Sequence, residues 1–446
     1  MKNDFDVKPA WRELVDQYDN LFIVASEELS KGGQGKVFQT KDADIAIKQP
    51  INPKTEEIAG DPCEFAREVE SIRLLPLPES INVTMPLSFL VKEPGYAMKL
   101  LSGMAPVTSL IGDKWRDVDA KDVPLWLSQV TSAKTKSDMV NYAQSGGLRR
   151  RLDVLHKAAA ILARLHSAGI VYGDISDKNV FAGTGAMPEV WLIDSDNMRL
   201  EVPFGKSVLT PGYGAPEIIN GSDSARPRTD CWAFAILAFK MLALVHPFIG
   251  KKVLNPDEDW ADASPQTSQS GRSLEDRAYA GEFSFVDDED DDSNEYTGGL
   301  PRVLVLTDGL RKLFQETFGS GRQSPWRRPP MLLWARELAW AFDHGIDCPG
   351  CHMGYYAGKH KTCPFCDAPR PPCALLRTSF WEKVAIVDDG NEVTLPRRLF
   401  NSYSPAALGG RTFNAAFDKD ARAFIPAFGE YGKFPVPVET IMMEGV

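Results

Sequence analysis

VYGDISDKNVF (Val171–Phe181) and, after a short turn-rich gap, VWLIDSDNM (Val190–Met198) bring Asp174, Asn179 and Asp194 close together along the chain. Carboxylate and amide oxygens of this kind hold hard divalent cations such as magnesium. A chemistry that spreads negative charge over phosphate oxygens needs such metals, together with a lysine on the phosphates and a carboxylate to orient the accepting hydroxyl.

Upstream, ELSKGGQGKVF sets Ser30, Gly32 and Gly35 on the three positions of a G-x-G-x-x-G pattern, with Gly33 between them and Val37 following. Glycines let backbone amides approach phosphate without a side chain in the way, although glycine clusters alone more often mark turns. A Walker loop would need glycine at Ser30 and a serine or threonine at Val37, so that reading fails at both ends. A Rossmann turn opens a helix, whereas VFQT and DIAIK follow here and alternate like strands. Lys48 closes DIAIK, two residues after Ala46. EFAREVESIRLL (residues 64–75) then has helical spacing, with Phe65, Val69, Ile72 and Leu75 on one face and Glu68 beside it, able to turn toward Lys48. The bland alternative is a solvated surface pair.

Taken in order, these segments resemble the bacterial Hanks-type (eukaryotic-like) serine/threonine protein kinases, over roughly residues 20–340. The resemblance implies an α+β, two-lobed fold with a β-rich N-lobe and a mainly α C-lobe, binding ATP with Mg2+ or Mn2+. It implies Asp174 as the carboxylate that orients the substrate hydroxyl, Asn179 and Asp194 as magnesium ligands, and Lys48 with Glu68 on the phosphates. Ser30, Gly32, Gly33, Gly35, Val37 and Ala46 would line the nucleotide, and Met98 through Leu101 would form the hinge that meets adenine, with Met98 and Leu100 as contacts. TPGYGAPE (Thr210–Glu217) resembles the end of an activation segment. Thr210 there resembles the serine/threonine branch, and Glu217 would pair with Arg328 of WRRPP. RTDCWAFAILAFKML resembles the buried central helix of the large lobe, with Asp230 buttressing the catalytic loop.

Several positions depart from the family. Tyr172 and Gly173 stand where histidine and arginine are usual, so control by an activation-loop phosphate, for instance on Ser207, loses its usual arginine. Ser176 replaces a lysine, with Lys178 offset nearby. The metal motif reads Asp194, Ser195, Asp196 in place of aspartate, phenylalanine, glycine. Asp196 is read as a helper ligand or a turn residue, the turn being favoured.

The expected organisation is an N-lobe with an N-terminal extension over 1–103 and a C-lobe over 104–343 carrying inserts at about 107–148 and 251–300. The first insert should hold an extra helix. The second contains VDDEDDDSN (residues 286–294), which reads as a solvated loop or a docking site for a basic partner. At CPGCHMGYYAGKHKTCPFC the chain changes character: Cys348, Cys351, Cys363 and Cys366 form two C-x-x-C knuckles, the spacing of a structural zinc ribbon over 344–372. Two disulfides or a redox dithiol are the weaker alternatives, His352 and His360 are possible substitute ligands, and Cys373 is a spare thiol. Residues 373–446, with strand-like WEKVAIV and NEVTLPRR, read as a small β-rich module. Kinase, ribbon and module together are similar to kinases of tellurite-resistance-type stress systems, a resemblance that implies a von Willebrand A-type protein and a cognate phosphatase as partners.

The chain has 446 residues, 43% of them hydrophobic and 10% aromatic, ample for a large core. A net charge of −11, and eleven cations matched by eleven acids after residue 343, argue against nucleic acid or anionic membrane as partners. The apolar run Cys231–Val245 is short and carries Lys240, so it reads as a buried lobe helix, and the clustered cysteines and missing leader suggest a reducing cytoplasm. The leading expectation is serine/threonine phosphorylation of proteins, autophosphorylation included, in a bacterial stress or signalling system. A nucleotide-binding pseudokinase scaffold acting through its ribbon and tail is the alternative of another class.

Overall fold

The computed structural model describes residues 11–32, 35–112, 115–185, 187–202, 207, 209–255, 271–388, 392–401, 412–427 and 433–444. Gly33, the first ten residues of the N-terminal extension and 256–270 of the second insert lie outside them.

The alternating strand pattern around the glycine stretch builds the upper lobe. A hairpin of β1 (Trp11–Val15) and β2 (Leu21–Ala25) leads into β3 (Ser30–Lys31), β4 (Gly35–Gln39) and β5 (Ile45–Pro50). With β6 (Pro86–Phe89) and β7 (Tyr96–Lys99) these form an antiparallel sheet in the order β3-β4-β5-β7-β6. Leu14 and Val24 of the hairpin, Phe38, Ile47 and Ala97 of the sheet, and Leu90 just after β6 make a small separate core. The helix α1 (Pro62–Arg73) begins where Asp61 accepts hydrogen bonds from the Cys63 and Glu64 amides at 3.0 and 2.9 Å, with proline in the first turn, where no amide hydrogen is needed. Val69 and Ile72 are its buried residues.

β8 (Met104–Pro106) carries the chain into the lower lobe. The first insert does contain a helix, α2 (Ala133–Gln144), capped by Ser132 and packed beside α3 (Gly147–Ser167). After α3 come β9 (Ile170–Val171), β10 (Val180–Gly183), β11 (Val190–Leu192) and β12 (Arg199–Leu200), then α4 (Pro216–Ile219) and α5 (Pro227–Ala243). β11-β10-β8 form one small sheet and β12-β9 another, framing the polar loops between them. α5 is apolar on nearly all sides and is accordingly buried, Trp232, Phe234 and Phe239 being fully enclosed. Among the described residues no helix is long and apolar enough to cross a membrane.

The acidic run is solvated at its centre, where Glu289, Asp290, Asp291 and Asp292 are exposed, but anchored at its flanks. Phe283, Phe285 and Val286 enter the main core, the buried Asn294 amide donates to the carbonyls of Phe248 (3.1 Å) and Ser284 (2.9 Å), and Asp287 pairs with Arg302 at 2.9 Å. Burial of its flanks overrides the local charge.

The helix Met331–His344 runs without a break into the knuckle region, where β13 (Gly345–Asp347) pairs with β14 (Gly354–Tyr356). Met353, Tyr355, Tyr356 and Ala357 belong to the same buried cluster as α3 and α5, so this small hairpin borrows the lower-lobe core. The two expected strands appear as β16 (Glu382–Ile386) and β17 (Glu392–Leu395), preceded by β15 (Cys373–Arg377) and followed by β18 (Phe413–Asp418), β19 (Ala423–Pro426) and β20 (Glu439–Met442), which the sequence reading did not anticipate. They form two three-stranded sheets, β16-β15-β20 and β17-β18-β19, around Leu376, Leu395, Leu399, Phe400, Ala415 and Phe424.

Candidate active site

The turn between β3 and β4 closes with a Gly32 amide to Gly35 carbonyl bond of 2.9 Å. A Cβ at Gly35 would lie 2.8 Å from the Gln49 carbonyl oxygen and 3.2 Å from Lys48 Cε, so only glycine lets this strand approach β5. Val37 lies opposite Lys48 across the sheet, and Ala46 opposite Met98. In the expected hinge, the Leu100 amide is already used by the Asp44 carbonyl at 2.8 Å, which removes it as a donor to a base; the Leu101 amide makes no hydrogen bond among the described residues.

Lys48, only 6% exposed, reaches from β5 to the loop after β11, where its Nζ lies 2.5 Å from Asp194 and 2.6 Å from Asp196. Burial alone would lower the lysine pKa, but the two carboxylates outweigh it and the net direction is up. Asp194 itself is pushed up by burial, with Lys48 opposing, and its backbone adopts the left-handed region at φ 62°. Asp196 also accepts a 2.5 Å hydrogen bond from the Tyr96 hydroxyl. Asp196 is therefore a working part of the cluster rather than a bare turn residue. Two carboxylates two residues apart in DSD were the only sequence signal for this, and Tyr96 had none.

Glu68 does not join. It is exposed, with no ion pair among the described residues, and the expected Lys48–Glu68 pair is replaced by the two aspartates. The physical cause lies in α1, where Phe65, on the inward stripe, stacks on Tyr96 with centroids 6.2 Å apart and planes 12° apart.

Below the lysine, Asp174 accepts from Thr210 Oγ1 at 2.8 Å and from Asn179 Nδ2 at 3.1 Å. Burial raises its pKa, against the two hydrogen bonds. Asn179 also donates to the Asp174 carbonyl at 2.8 Å, leaving its Oδ1 without a partner among the described residues. That oxygen and Asp194 are the donor set a divalent cation would meet. Asp230, at the start of α5, accepts from the amides of Tyr172 (2.8 Å) and Gly173 (2.9 Å), with His166 at 3.0 Å, so the buttress expected from the sequence is present. Gly173 takes φ 88°, and a Cβ there would meet the Asn197 carbonyl oxygen at 3.0 Å; the loop cannot hold an arginine without strain. Tyr172, fully buried, donates its hydroxyl to the Ile193 carbonyl.

The expected pairing of Glu217 with Arg328 forms. Arg328, fully buried, grips Glu217 with two nitrogens at 2.6 and 2.8 Å and lies over Trp232. Ser207 Oγ accepts from the Ala225 amide at 2.8 Å and from Arg199 at 3.3 Å.

Some distance away, the Sγ atoms of Cys348, Cys351, Cys363 and Cys366 all lie within 4.8 Å of one another, with Cys348–Cys366 and Cys351–Cys363 at 3.6 Å. The edge of a tetrahedron with Zn–S bonds of about 2.3 Å is about 3.8 Å, so the set fits one zinc ion, and a disulfide would need a far shorter approach. Amides of Gly350 and Phe365 point at Cys348 and Cys363 sulfurs at 3.3 and 3.5 Å. His352, His360 and Cys373 stand outside the cluster.

Residues 137–279 match the family described as "Protein kinase domain". The chain is 25% identical over 262 residues to "Serine/threonine-protein kinase PknD" of Chlamydia pneumoniae, covering 53% of this chain and 25% of that protein. It is 26% identical over 251 residues to the protein of the same name in Chlamydia abortus (50% and 24% covered), and 24% identical over 278 residues to "Ribosomal protein S6 kinase alpha-3" of Homo sapiens (54% and 36%). The chain thus spans about a quarter of the length of the first of these relatives. Residues 137–279 are thus similar to a protein kinase domain, and Asp174 and Asp194 lie within that matched stretch, with Lys48 reaching Asp194 from outside it.

Proposed function

We propose that the protein is an ATP-dependent serine/threonine kinase acting on protein hydroxyls, itself included. The observation that carries this is the gathering of Asp174, Asn179, Asp194 and Lys48 from three separate segments. Asp174 orients the accepting hydroxyl and takes its proton; its raised pKa suits a base more than an ordinary surface carboxylate would. Lys48 holds the nucleotide phosphates. Magnesium or manganese, held by Asn179 and Asp194, would neutralise phosphate charge when bound. Thr210, bonded to Asp174, stands where a serine or threonine substrate would arrive.

Four cysteine thiolates would hold zinc, a closed set with no open position, so the ion's part is to fasten the hairpin to the lower lobe. Protein substrates, and a von Willebrand A-type protein with a cognate phosphatase in a bacterial cytoplasmic stress system, follow from the family resemblance. The scaffold reading is kept by Ser176 and Gly173, which lack the family's lysine and arginine.

Purified protein incubated with Mg-ATP, with and without Asp174→Ala or Asp194→Ala, tests the proposal by intact mass and peptide mapping. Phosphate on serine or threonine in the wild type alone supports it. Nucleotide binding with no transfer to any protein supports the scaffold.

A further inference from the structure

We propose that Asp196, not a carboxylate of α1, is the residue that positions Lys48 for the nucleotide, a reading that rests on the kinase assignment above. Lys48 and Tyr96 are direct cross-strand partners on β5 and β7. Residues opposite each other across an antiparallel pair project to the same face. The two side chains close on one carboxylate: Lys48 Nζ on Oδ2 at 2.6 Å, the Tyr96 hydroxyl on Oδ1 at 2.5 Å. A single rung of the sheet therefore supplies both the lysine and the donor that fixes its counter-charge.

Asp194 also contacts Lys48, at 2.5 Å, but its oxygens are the ones a divalent cation would take. Asp196 has Lys48 and Tyr96 as its partners and remains to hold the ammonium. α1 is not placed to compete. Its inward stripe presents Phe65 to Tyr96, and Glu68, exposed and without an ion pair among the described residues, shares with Lys48 and Asp196 the lining of an open cavity of about 380 Å³ rather than touching the lysine. The neighbouring machinery is assembled: Thr210 is on Asp174, Asp230 is on the catalytic-loop amides, and Arg328 is on Glu217. The arrangement of lysine and carboxylate thus belongs to an ordered site rather than a collapsed one. A short polar side chain at the third position of the metal motif takes over a task that the family resemblance implies for the helix.

The experiment uses the full chain with Asp196→Asn, Asp196→Glu, Tyr96→Phe and Glu68→Gln, each checked for folding by thermal melting. Three readouts are taken: the Kd of a fluorescent ATP analogue, the kcat and KM of transfer, and the rate at which an amine-reactive ester labels Lys48, followed by mass spectrometry. A lost charged hydrogen bond corresponds to about tenfold or more in affinity. Asp196→Asn should weaken the analogue by about tenfold, raise KM for ATP accordingly and speed Lys48 labelling. Tyr96→Phe should show a smaller change in the same direction, and Asp196→Glu should restore part of the loss. Glu68→Gln should stay within about twofold. Equal losses in Glu68→Gln and Asp196→Asn, or faster transfer by Asp196→Asn, as expected of an inhibitory latch, would overturn the proposal. If the wild type binds nucleotide but transfers no phosphate, the kinase assignment fails by itself, and the Kd and labelling series still decides the role of Asp196.

Discussion

Asp343 ties the kinase lobes to the C-terminal module, and its removal gives a calculable result. The side chain is fully buried at the end of the helix Met331–His344. It accepts hydrogen bonds from Trp381 Nε1 at 2.8 Å, Arg398 Nε at 2.5 Å and Lys383 Nζ at 3.3 Å, all three donors lying in the tail. Burial pushes the carboxyl pKa up, yet Arg398 and Lys383 hold it far below the ordinary carboxylate value. Asp343→Ala strands two buried cations. Lys383, whose pKa burial already lowers, can shed its proton, but Arg398 cannot. Breaking a buried pair from one side costs about 3–5 kcal/mol, and the lysine's escape places the expectation near the lower end, about 3 kcal/mol. Because lobes and tail need not unfold together, the assay is hydrogen exchange resolved by peptide rather than a global melt. At about 1.4 kcal/mol per tenfold, amides of β16 and β17 should exchange about 100-fold faster, while α5 keeps its protection. A change below about tenfold would refute the argument that this carboxylate fastens the module. The sign with pH is also set: a depressed folded-state pKa gives stability that is present above the unfolded value of about 3.9 and is lost as pH falls through the lower folded one.

Three further outcomes can be measured. His246 donates from Nε2 to the Gly212 carbonyl and accepts the Phe248 amide on Nδ1, so only the neutral ring fits; burial is the main cause, and its pKa is lowered to about 4. Stability should therefore be full above about pH 6.5, fall as pH drops toward 4 and level off there, and His246→Gln should flatten that slope in urea titrations followed across the range. Serine at Cys363 should abolish stoichiometric zinc in a chelator-release assay and loosen the lower lobe, since the thiol is buried in the main core; zinc retained at one equivalent would contradict the four-thiolate set. Arg328→Ala should cost about 3–5 kcal/mol in denaturant, whereas the double variant with Glu217→Ala should cost less than the sum of the two single changes, because the charge left behind is removed as well.

Much of the site could be read along the chain because its parts lie in short segments whose residue types carry the chemistry. Asp174 and Asn179 sit five residues apart in one loop, the knuckle cysteines sit three apart, and the apolar run of α5 announces its own burial. The distant pairing of Glu217 with Arg328 was expected from the family resemblance rather than from residue type or spacing. In the acidic run 286–294 the exposed centre follows from local charge, while the anchoring of its flanks depends on distant residues, Phe285 packing in the main core and Asn294 bonding to Phe248.

The partner of Lys48 shows the limit most sharply. Sequence alone established that a lysine, a helix with a flanking glutamate and a DSD turn were all present. Helical spacing put Glu68 beside the inward face but could not say how far α1 would roll, because that depends on Phe65 finding Tyr96 on another element. Cross-strand register then placed Tyr96 beside Lys48, and the two together captured Asp196. Residue type and spacing are local properties and determined the parts, whereas the distance between two charges depends on how packed elements rotate against one another, and only the tertiary structure decided which carboxylate the lysine meets.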